Sequence, residues 1–116
     1  MTPVSDGQEI RYVNLHNGGG FVTRIRIVWD FSKAGNDAHG EYNMDKDITL
    51  GLDKTLDLTT TKIPDGATVT LKAFVVWGKD NTASQHHTFK SSSTKTAYYT
   101  ITGTTLSNSL GEIKIE

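Results

Sequence analysis

Histidine supplies the side chains best suited to metal chemistry in this chain, at His16, His39, His86 and His87. Zinc sites take imidazole nitrogens in tetrahedral geometry. Neighbouring residues on a strand point to opposite faces, so His86 and His87 cannot chelate one ion from a flat strand. A zinc site would need His16 or His39 to converge with one of them. We therefore interpret the four imidazoles as solvated or half-buried, and we predict no metal and no cofactor.

Four aspartates are the second candidate for ion binding. Asp45, Asp47, Asp53 and Asp57 lie within a short stretch and offer the carboxylate oxygens that Ca²⁺ prefers. Their spacing lacks the glycine-centred loop of calcium-binding motifs. We predict a solvated acidic loop here instead of a calcium site.

The residue patterns of common catalytic sites are missing. The chain has no cysteine, and neither Gly-x-Ser-x-Gly nor His-Glu-x-x-His occurs in it. Glu9, Glu41, Glu112 and Glu116 show no pairing that suggests glycoside hydrolysis. The glycine run at 18–20 precedes a predicted strand, whereas a phosphate-binding loop precedes a helix. The sequence therefore predicts a protein that is not an enzyme.

Length and charge limit the remaining functions. A chain of 116 residues is the size of one domain, and we predict a single domain over 1–116 with a flexible tail at 1–8. Twelve basic and 13 acidic residues leave no basic excess for nucleic acid. No apolar run approaches the roughly 20 residues of a membrane span. The first eight residues lack the features of a signal peptide, so we expect a cytoplasmic protein or one exported by a leaderless route.

Composition and periodicity favour β-strands. Seventeen threonines accompany valine, isoleucine and aromatic residues, which suit a pleated surface. Alternation of period two recurs, and no stretch keeps a helical period for three turns. We predict an all-β fold, an antiparallel β-sandwich of two packed sheets with about seven to eight strands. The predicted strands are 9–16, 21–31, 40–44, 48–52, 55–58, 69–77, 83–90, 97–102 and 111–115, of which 48–52 and 55–58 form either a hairpin or one bent strand.

Two strands show the alternation most clearly. On 21–31 we assign to the core Phe21, Thr23, Ile25, Ile27 and Trp29, which leaves Arg24 and Arg26 toward water. On 69–77 one face carries Val69, Leu71, Ala73, Val75 and Trp77. Both tryptophans are therefore predicted core residues. The alternative for either is a ring stacked on a sugar.

Three segments resemble one protein family when they are taken in order. They are Gly19 to Asp30, with Val28-Trp29-Asp30 at its end, then Ile63 to Ala73, then Ile101-Thr102-Gly103-Thr104-Thr105-Leu106. Over roughly residues 11–115 the chain resembles the C-terminal membrane-recognition domain of the cholesterol-dependent (thiol-activated) cytolysins. It departs from that family at 75–83, where the tryptophan-rich undecapeptide with its cysteine is missing. The pore-forming domains are missing as well, so we expect no pore from this chain alone.

The resemblance implies a recognition module that binds a membrane lipid, a sterol or a cell-surface glycan through loops at one end of the sandwich. It assigns sterol contact to Thr105 and Leu106. The alternative for Leu106 is a loop residue that closes the sandwich. The expected contact loops are 78–83 and 104–109, with 31–36 beside them. Further contact candidates are Thr104, Ser107, Trp77, Lys79, Asn81 and Phe31.

A second interpretation belongs to another class of protein. Near-zero net charge and a threonine-rich surface favour association between chains. Exposed strand edges can pair with other chains. The alternative is therefore a protein-interaction or self-assembling subunit, for example one component of a two-component toxin. Nucleic acid is not an expected partner.

Overall fold

The computed structural model describes residues 7–33 and 35–116, and these form ten β-strands with one short 3-10 turn. The predicted all-β sandwich is confirmed, with more strands than predicted because three of them have only two or three residues. The strands are β1 Glu9–Ile10, β2 Tyr12–Asn17, β3 Thr23–Lys33, β4 Asn36–Asn43, β5 Asp53–Asp57, β6 Thr68–Val75, β7 Asn81–Thr82, β8 His87–Phe89, β9 Thr96–Gly103 and β10 Asn108–Ile115, and the 3-10 turn is Leu58–Thr60.

The ten strands divide between two sheets. The first sheet has the order β1-β8-β6-β3-β4, with β7 also paired to β6, and the second has the order β10-β9-β2-β5. Most neighbours are antiparallel, as predicted, but β1 pairs with β8 and β2 pairs with β9 in parallel. The parallel pairing of β2 and β9 makes both strands end on the same side of the molecule.

Several predicted strand bounds are wrong. Residues 48–52 form no strand, and only Ile48 bridges to Thr23. The predicted strand 83–90 is replaced by β7 and β8, which flank a loop. The predicted flexible tail lies outside the described residues over 1–6, whereas Gly7 donates its N–H to the carbonyl of His86 at 2.6 Å.

The core lies between the sheets and follows the alternation read from β3 and β6. Ile25 pairs with Ala73 and Ile27 pairs with Leu71 across the first sheet, and all four are buried. On the outer face Arg26 lies 3.9 Å from the centroid of the Phe74 ring. The predicted core face of β3 is thus confirmed for Phe21, Thr23, Ile25 and Ile27.

A buried polar pair joins the two sheets. His87 on β8 and Glu112 on β10 each have only 1% of the side chain exposed, and Nε2 lies 2.5 Å from Oε2. Burial, together with the charge and hydrogen bond of Glu112, raises the pKa of Tyr99 on β9. His87 therefore has a structural partner, and within residues 7–33 and 35–116 no three His, Asp or Glu side chains converge as a metal site.

The aspartates of the predicted acidic loop separate in the fold. Asp57 pairs with Arg11 at 3.0 Å, Asp53 accepts a hydrogen bond from Asn14 at 2.7 Å, and Asp47 accepts one from Arg24 at 2.6 Å. The prediction of one solvated loop is therefore wrong for Asp53 and Asp57, which belong to β5. Among the described residues, no helix is long and apolar enough to cross a membrane.

Candidate functional site

Four loops meet at one end of the sandwich, where β2, β4, β6 and β9 end. They are 18–22, 44–52, 76–80 and 104–107, and we call this end the tip. The parallel pairing of β2 with β9 places the first and last of these loops side by side. The antiparallel pairing of β3 with β6 brings the end of β6 to the start of β3. The topology therefore gathers loops that are far apart in sequence.

The tip carries most of the exposed large apolar side chains of the described residues. There are five such side chains, and four of them are on the tip. The exposed fractions are 64% for Leu50, 57% for Leu52, 92% for Trp77 and 74% for Leu106. The fifth, Ile113, lies on β10. Several exposed large apolar side chains at one end of a protein are typical of an interaction site.

Trp77 is not the core residue that the alternation predicts. Strand β6 ends at Val75, and Trp77 follows in a turn with φ of 61°, which only a few per cent of residues other than glycine adopt. The hydrogen bond from Gly78 N–H to the carbonyl of Val75 closes this turn at 3.1 Å. The period of the strand therefore stops before Trp77, and the indole points away from the core into solvent.

The loop of Leu106 is a tight turn. Gly103 has φ of 106°, and Thr104 N–H donates to the carbonyl of Ser107 at 2.9 Å. The Ser107 N–H returns a bond to Thr104 Oγ1 at 3.2 Å. Thr105 and Leu106 therefore occupy the apex, and the alternative that Leu106 closes the sandwich is wrong.

The loops at 76–80 and 104–107 are bonded to each other. Lys79 N–H donates to the carbonyl of Thr105 at 2.8 Å, and Asn108 Nδ2 donates to the carbonyl of Lys79 at 2.8 Å. Asn81 Nδ2 reaches Asn108 Oδ1 at 2.8 Å. A Cβ at Gly78 would lie 2.3 Å from the Thr105 carbonyl oxygen, so glycine is what permits this approach.

These contacts bring together most of the predicted contact residues. A polar cleft of about 390 Å³ lies between the two loops. Its walls include Lys79, Asn81, Leu106 and Ser107, and Thr104 closes the adjoining turn. Trp77 precedes the cleft residue Lys79 by two positions in the same loop. The sequence analysis named these side chains as contact candidates, although its first interpretation assigned Trp77 to the core.

Asn17 ties the other two loops of the tip together. Its side chain is fully buried, and Nδ2 donates to the carbonyls of Phe21 and Ile48 at 2.5 and 2.8 Å. Its Oδ1 accepts from Gly19 N–H at 2.8 Å. Its backbone also bonds to the loop at 44–52, where its N–H donates to Leu52. Asn17 thereby fixes the loop that presents Leu50 and Leu52.

Leu50 and Leu52 are contact candidates that sequence reasoning missed. The pattern Leu50-Gly51-Leu52 places two apolar side chains around a glycine whose φ is 86°. Together with Ile48 the two leucines alternate as in a strand, and this alternation led to the prediction of a strand at 48–52. The glycine between the leucines was the available signal for a turn.

Phe31 does not belong to this site. The eleven residues of β3 place Lys33 about 33 Å from Thr23, which is at the tip. Phe31 lies near that far end, where it is partly buried and faces Gly66. The described residues of the predicted loop at 31–36 therefore lie where β3 ends and β4 begins, at the opposite end of the sandwich.

Known proteins resemble the chain in fold. No protein-family model matches it, and no curated protein does. Among solved structures, listeriolysin O matches with a TM-score of 0.49 at 18% identity, over 90% of this chain and 22% of that one. Suilysin, a cytotoxin protein from Streptococcus suis, gives 0.44 at 20%, over 91% and 24%. The membrane-binding domain of pneumolysin gives 0.46 at 14%, over 89% and 95%.

The chain spans less than a quarter of the two whole toxins, at 22% and 24% of their length, and nearly all of the isolated pneumolysin domain, at 95%. The resemblance that the sequence predicts is thus confirmed as a likeness of fold.

Proposed function

We propose that this chain is a non-enzymatic module that attaches to a lipid bilayer through the tip. The observation that supports the proposal is the convergence of four exposed apolar side chains, Leu50, Leu52, Trp77 and Leu106, on loops bonded to one another. A rigid apolar end can enter a membrane interface without ordering new residues. The indole of Trp77 belongs to the side-chain type that is enriched at membrane interfaces.

The free energies of burying these side chains are consistent with attachment to a bilayer. Transfer of one large apolar side chain out of water contributes about 1.5–3 kcal/mol. Leu106 alone falls short of the about 4 kcal/mol that millimolar affinity requires. Full burial of all four side chains would contribute roughly 6–12 kcal/mol before the loss of motional freedom on association is subtracted. Weak but measurable binding is expected, and several linked copies would strengthen it.

Because of the family resemblance, sterol is the first lipid to test. The cleft beside Leu106 offers polar groups next to an apolar apex, which suits a ligand with one hydroxyl group and an apolar body. Thr105 and Leu106 are the proposed sterol contacts, with Thr104, Ser107, Lys79 and Asn81 nearby. The net charge of −1 gives no general attraction to anionic lipid.

Co-sedimentation with phosphatidylcholine vesicles, with and without cholesterol, tests the proposal. We expect binding that cholesterol increases, and a loss of roughly 10-fold or more in the variant with Trp77→Ala and Leu106→Ala together. Ile113→Ala is the matched control, because Ile113 is also exposed but lies away from the tip. Equal binding by both variants, or no binding by the natural chain, would contradict the proposal. Binding without any effect of cholesterol would contradict the sterol assignment only.

A second candidate function is self-association or protein binding through a strand edge. Strand β10 forms one edge of its sheet, carries the exposed Ile113, and has a register shift between Glu112 and Lys114. Such an edge can pair with another chain, although the β-bulge at this register shift disfavours the pairing. Light scattering with size exclusion tests this function. A monomer at high concentration for the natural chain would exclude self-assembly.

A further inference from the structure

A second recess lies on the side wall of the sandwich, away from the tip. Trp29 on β3 pairs with Gly40 on β4, and a Cβ at Gly40 would lie 2.9 Å from the indole ring. The ring therefore lies over a glycine that leaves room for it. Trp29, partly buried and not the full core residue predicted, forms one wall of a groove of about 410 Å³. Ligand pockets typically range from about 300 to 1,000 Å³.

The opposite wall of the groove comes from the segment that follows the 3-10 turn. The lining side chains that matter are Trp29, Tyr42, Thr60, Lys62 and Ile63. Tyr42 pairs with Ile27 across the strands, so it lies on the same face as Trp29. The groove is thus framed by two aromatic rings on one side and by threonine, lysine and isoleucine on the other.

The surface of the groove is mostly apolar, but it includes several hydrogen-bonding groups that have no partner among the described residues. Within residues 7–33 and 35–116, no partner bonds to the indole N–H of Trp29 or the hydroxyl of Tyr42, and Lys62 forms no ion pair. Thr60 Oγ1 donates to the carbonyl of Asp57 at 2.7 Å, which leaves its lone pairs free to accept. The site therefore offers donors and acceptors around an aromatic surface.

We propose that this groove binds a neutral pyranose ring of a glycan. A pyranose has C–H groups that pack on an aromatic ring and hydroxyl groups at its edge that exchange hydrogen bonds. An aliphatic chain would cover the Trp29 N–H and Tyr42 hydroxyl without bonding to them, which carries a desolvation cost. The aromatic rings supply the apolar contact, and Tyr42, Thr60 and Lys62 supply the polar ones.

The position of the groove separates it from the proposed lipid contact. Trp29 is six residues beyond Thr23 on β3, and this is about 20 Å from the tip. A tip seated on a bilayer would hold the groove at the height of glycans carried by membrane lipids or proteins. Simultaneous contacts at the two places would raise the overall affinity. The sugar proposal does not depend on the lipid proposal, because soluble sugars test it without membranes.

Tryptophan fluorescence gives a direct readout of this site. The chain has two tryptophans, so Trp77→Phe leaves Trp29 as the sole indole. This variant is titrated with glucose, galactose, mannose and N-acetylglucosamine. We expect a saturable change in Trp29 emission at millimolar concentrations of at least one sugar. Adding Tyr42→Phe, which removes only a hydroxyl, should weaken that binding by roughly 2- to 10-fold. Tyr98→Phe, on β9, is the matched control and should leave it unchanged.

Three results would overturn the proposal. The first is an unchanged Trp29 emission with every sugar up to roughly 100 mM, well above millimolar affinity. The second is an equal effect of Tyr42→Phe and Tyr98→Phe on binding. The third is displacement of a bound sugar by a fatty acid that binds more tightly in the groove, which would identify an apolar ligand site. Circular dichroism of each variant establishes that the fold is retained.

Discussion

The side chain of His87 bonds to that of Glu112 across the gap between the sheets, with Nε2 and Oε2 2.5 Å apart and both side chains 1% exposed. One atom of each side chain, His87 Nδ1 and Glu112 Oε1, has no hydrogen-bond partner. The pair therefore stabilises the fold only as long as both members are present, because either one alone would be a polar group buried without its partner.

Removal of one member should destabilise the protein strongly. We expect Glu112→Ala and His87→Ala each to lower the free energy of unfolding by about 3–5 kcal/mol. The double variant should lose less than the sum of the two, since neither His87 nor Glu112 is then left without the other. Urea denaturation followed by circular dichroism measures all three. Glu9→Ala, at an exposed position, is the control. Additive losses would show that the two side chains act independently.

Asn17 should control the tip without being part of its surface. Asn17→Ala removes three hydrogen bonds from a fully buried side chain, two of them to carbonyls of separate loops. We expect a loss of about 1–3 kcal/mol in the free energy of unfolding. Vesicle binding should also weaken, although every exposed apolar side chain is still present.

Asn43→Ala serves as the control for this variant, because Asn43 is an exposed amide on β4. Faster amide hydrogen exchange at 18–22 and 44–52 in Asn17→Ala would locate the effect. Full vesicle binding by Asn17→Ala would contradict the view that loop order matters for attachment.

Acid should weaken the fold through the pair of Arg11 and Asp57. The hydrogen bond from Arg11 lowers the pKa of Asp57 from 3.8 to about 2. Because the pKa is lower in the folded state, the stabilisation is complete above pH 4 and is lost as the pH falls from about 4 to 2. Both side chains are about a third exposed, so the effect should be modest.

Asp57→Asn should therefore reduce the free energy of unfolding near pH 7 and flatten its dependence on pH below 4. Denaturation curves at a series of pH values measure this. Asparagine keeps an acceptor for Thr59 N–H, so the turn at Leu58–Thr60 is preserved. Asp45→Asn, at an exposed position, should leave the slope unchanged. The same slope in both variants would assign the acid sensitivity to other groups.

The strands with strong alternation were predictable, and the places where alternation stops were not. Ile25 and Ile27 face the core as their spacing requires. The position of Trp77 continues the period-two alternation of the sequence, but its backbone has a positive φ two residues after β6 ends. A turn of this kind does not change the spacing of apolar residues in the sequence. The alternation therefore could not predict the direction of the Trp77 side chain, which follows from the contact between two loops.

Pairings between distant residues were beyond sequence reasoning for a related reason. His87 and Glu112 are 25 residues apart, and they meet because β8 and β10 belong to different sheets that face each other. Phe31 was predicted at the wrong end of the sandwich. The direction of β3 relative to the other strands decides which end its last residues occupy, and this direction depends on pairing with distant strands. The loop of Thr105 and Leu106 was predicted from the resemblance to the cytolysin domain, and it forms a tight turn after β9.

The effect of changing Trp77 on membrane binding should be separable from its effect on stability. The side chain is 92% exposed and the backbone has φ of 61°, a region that costs most residues roughly 1–2 kcal/mol and glycine nothing. Trp77→Gly removes this cost and adds chain entropy to the unfolded state. We expect an unfolding free energy within about 1 kcal/mol of the natural chain, together with a clear loss of vesicle binding.

Trp77→Val is the contrasting variant, because a β-branched side chain tolerates positive φ poorly. It should lose vesicle binding as Trp77→Gly does, and lose about 1–2 kcal/mol of stability as well. Urea denaturation and co-sedimentation on the same preparations separate the two quantities. A large loss of stability in Trp77→Gly would mean that the indole packs on the fold, and its exposed position would then have no part in attachment.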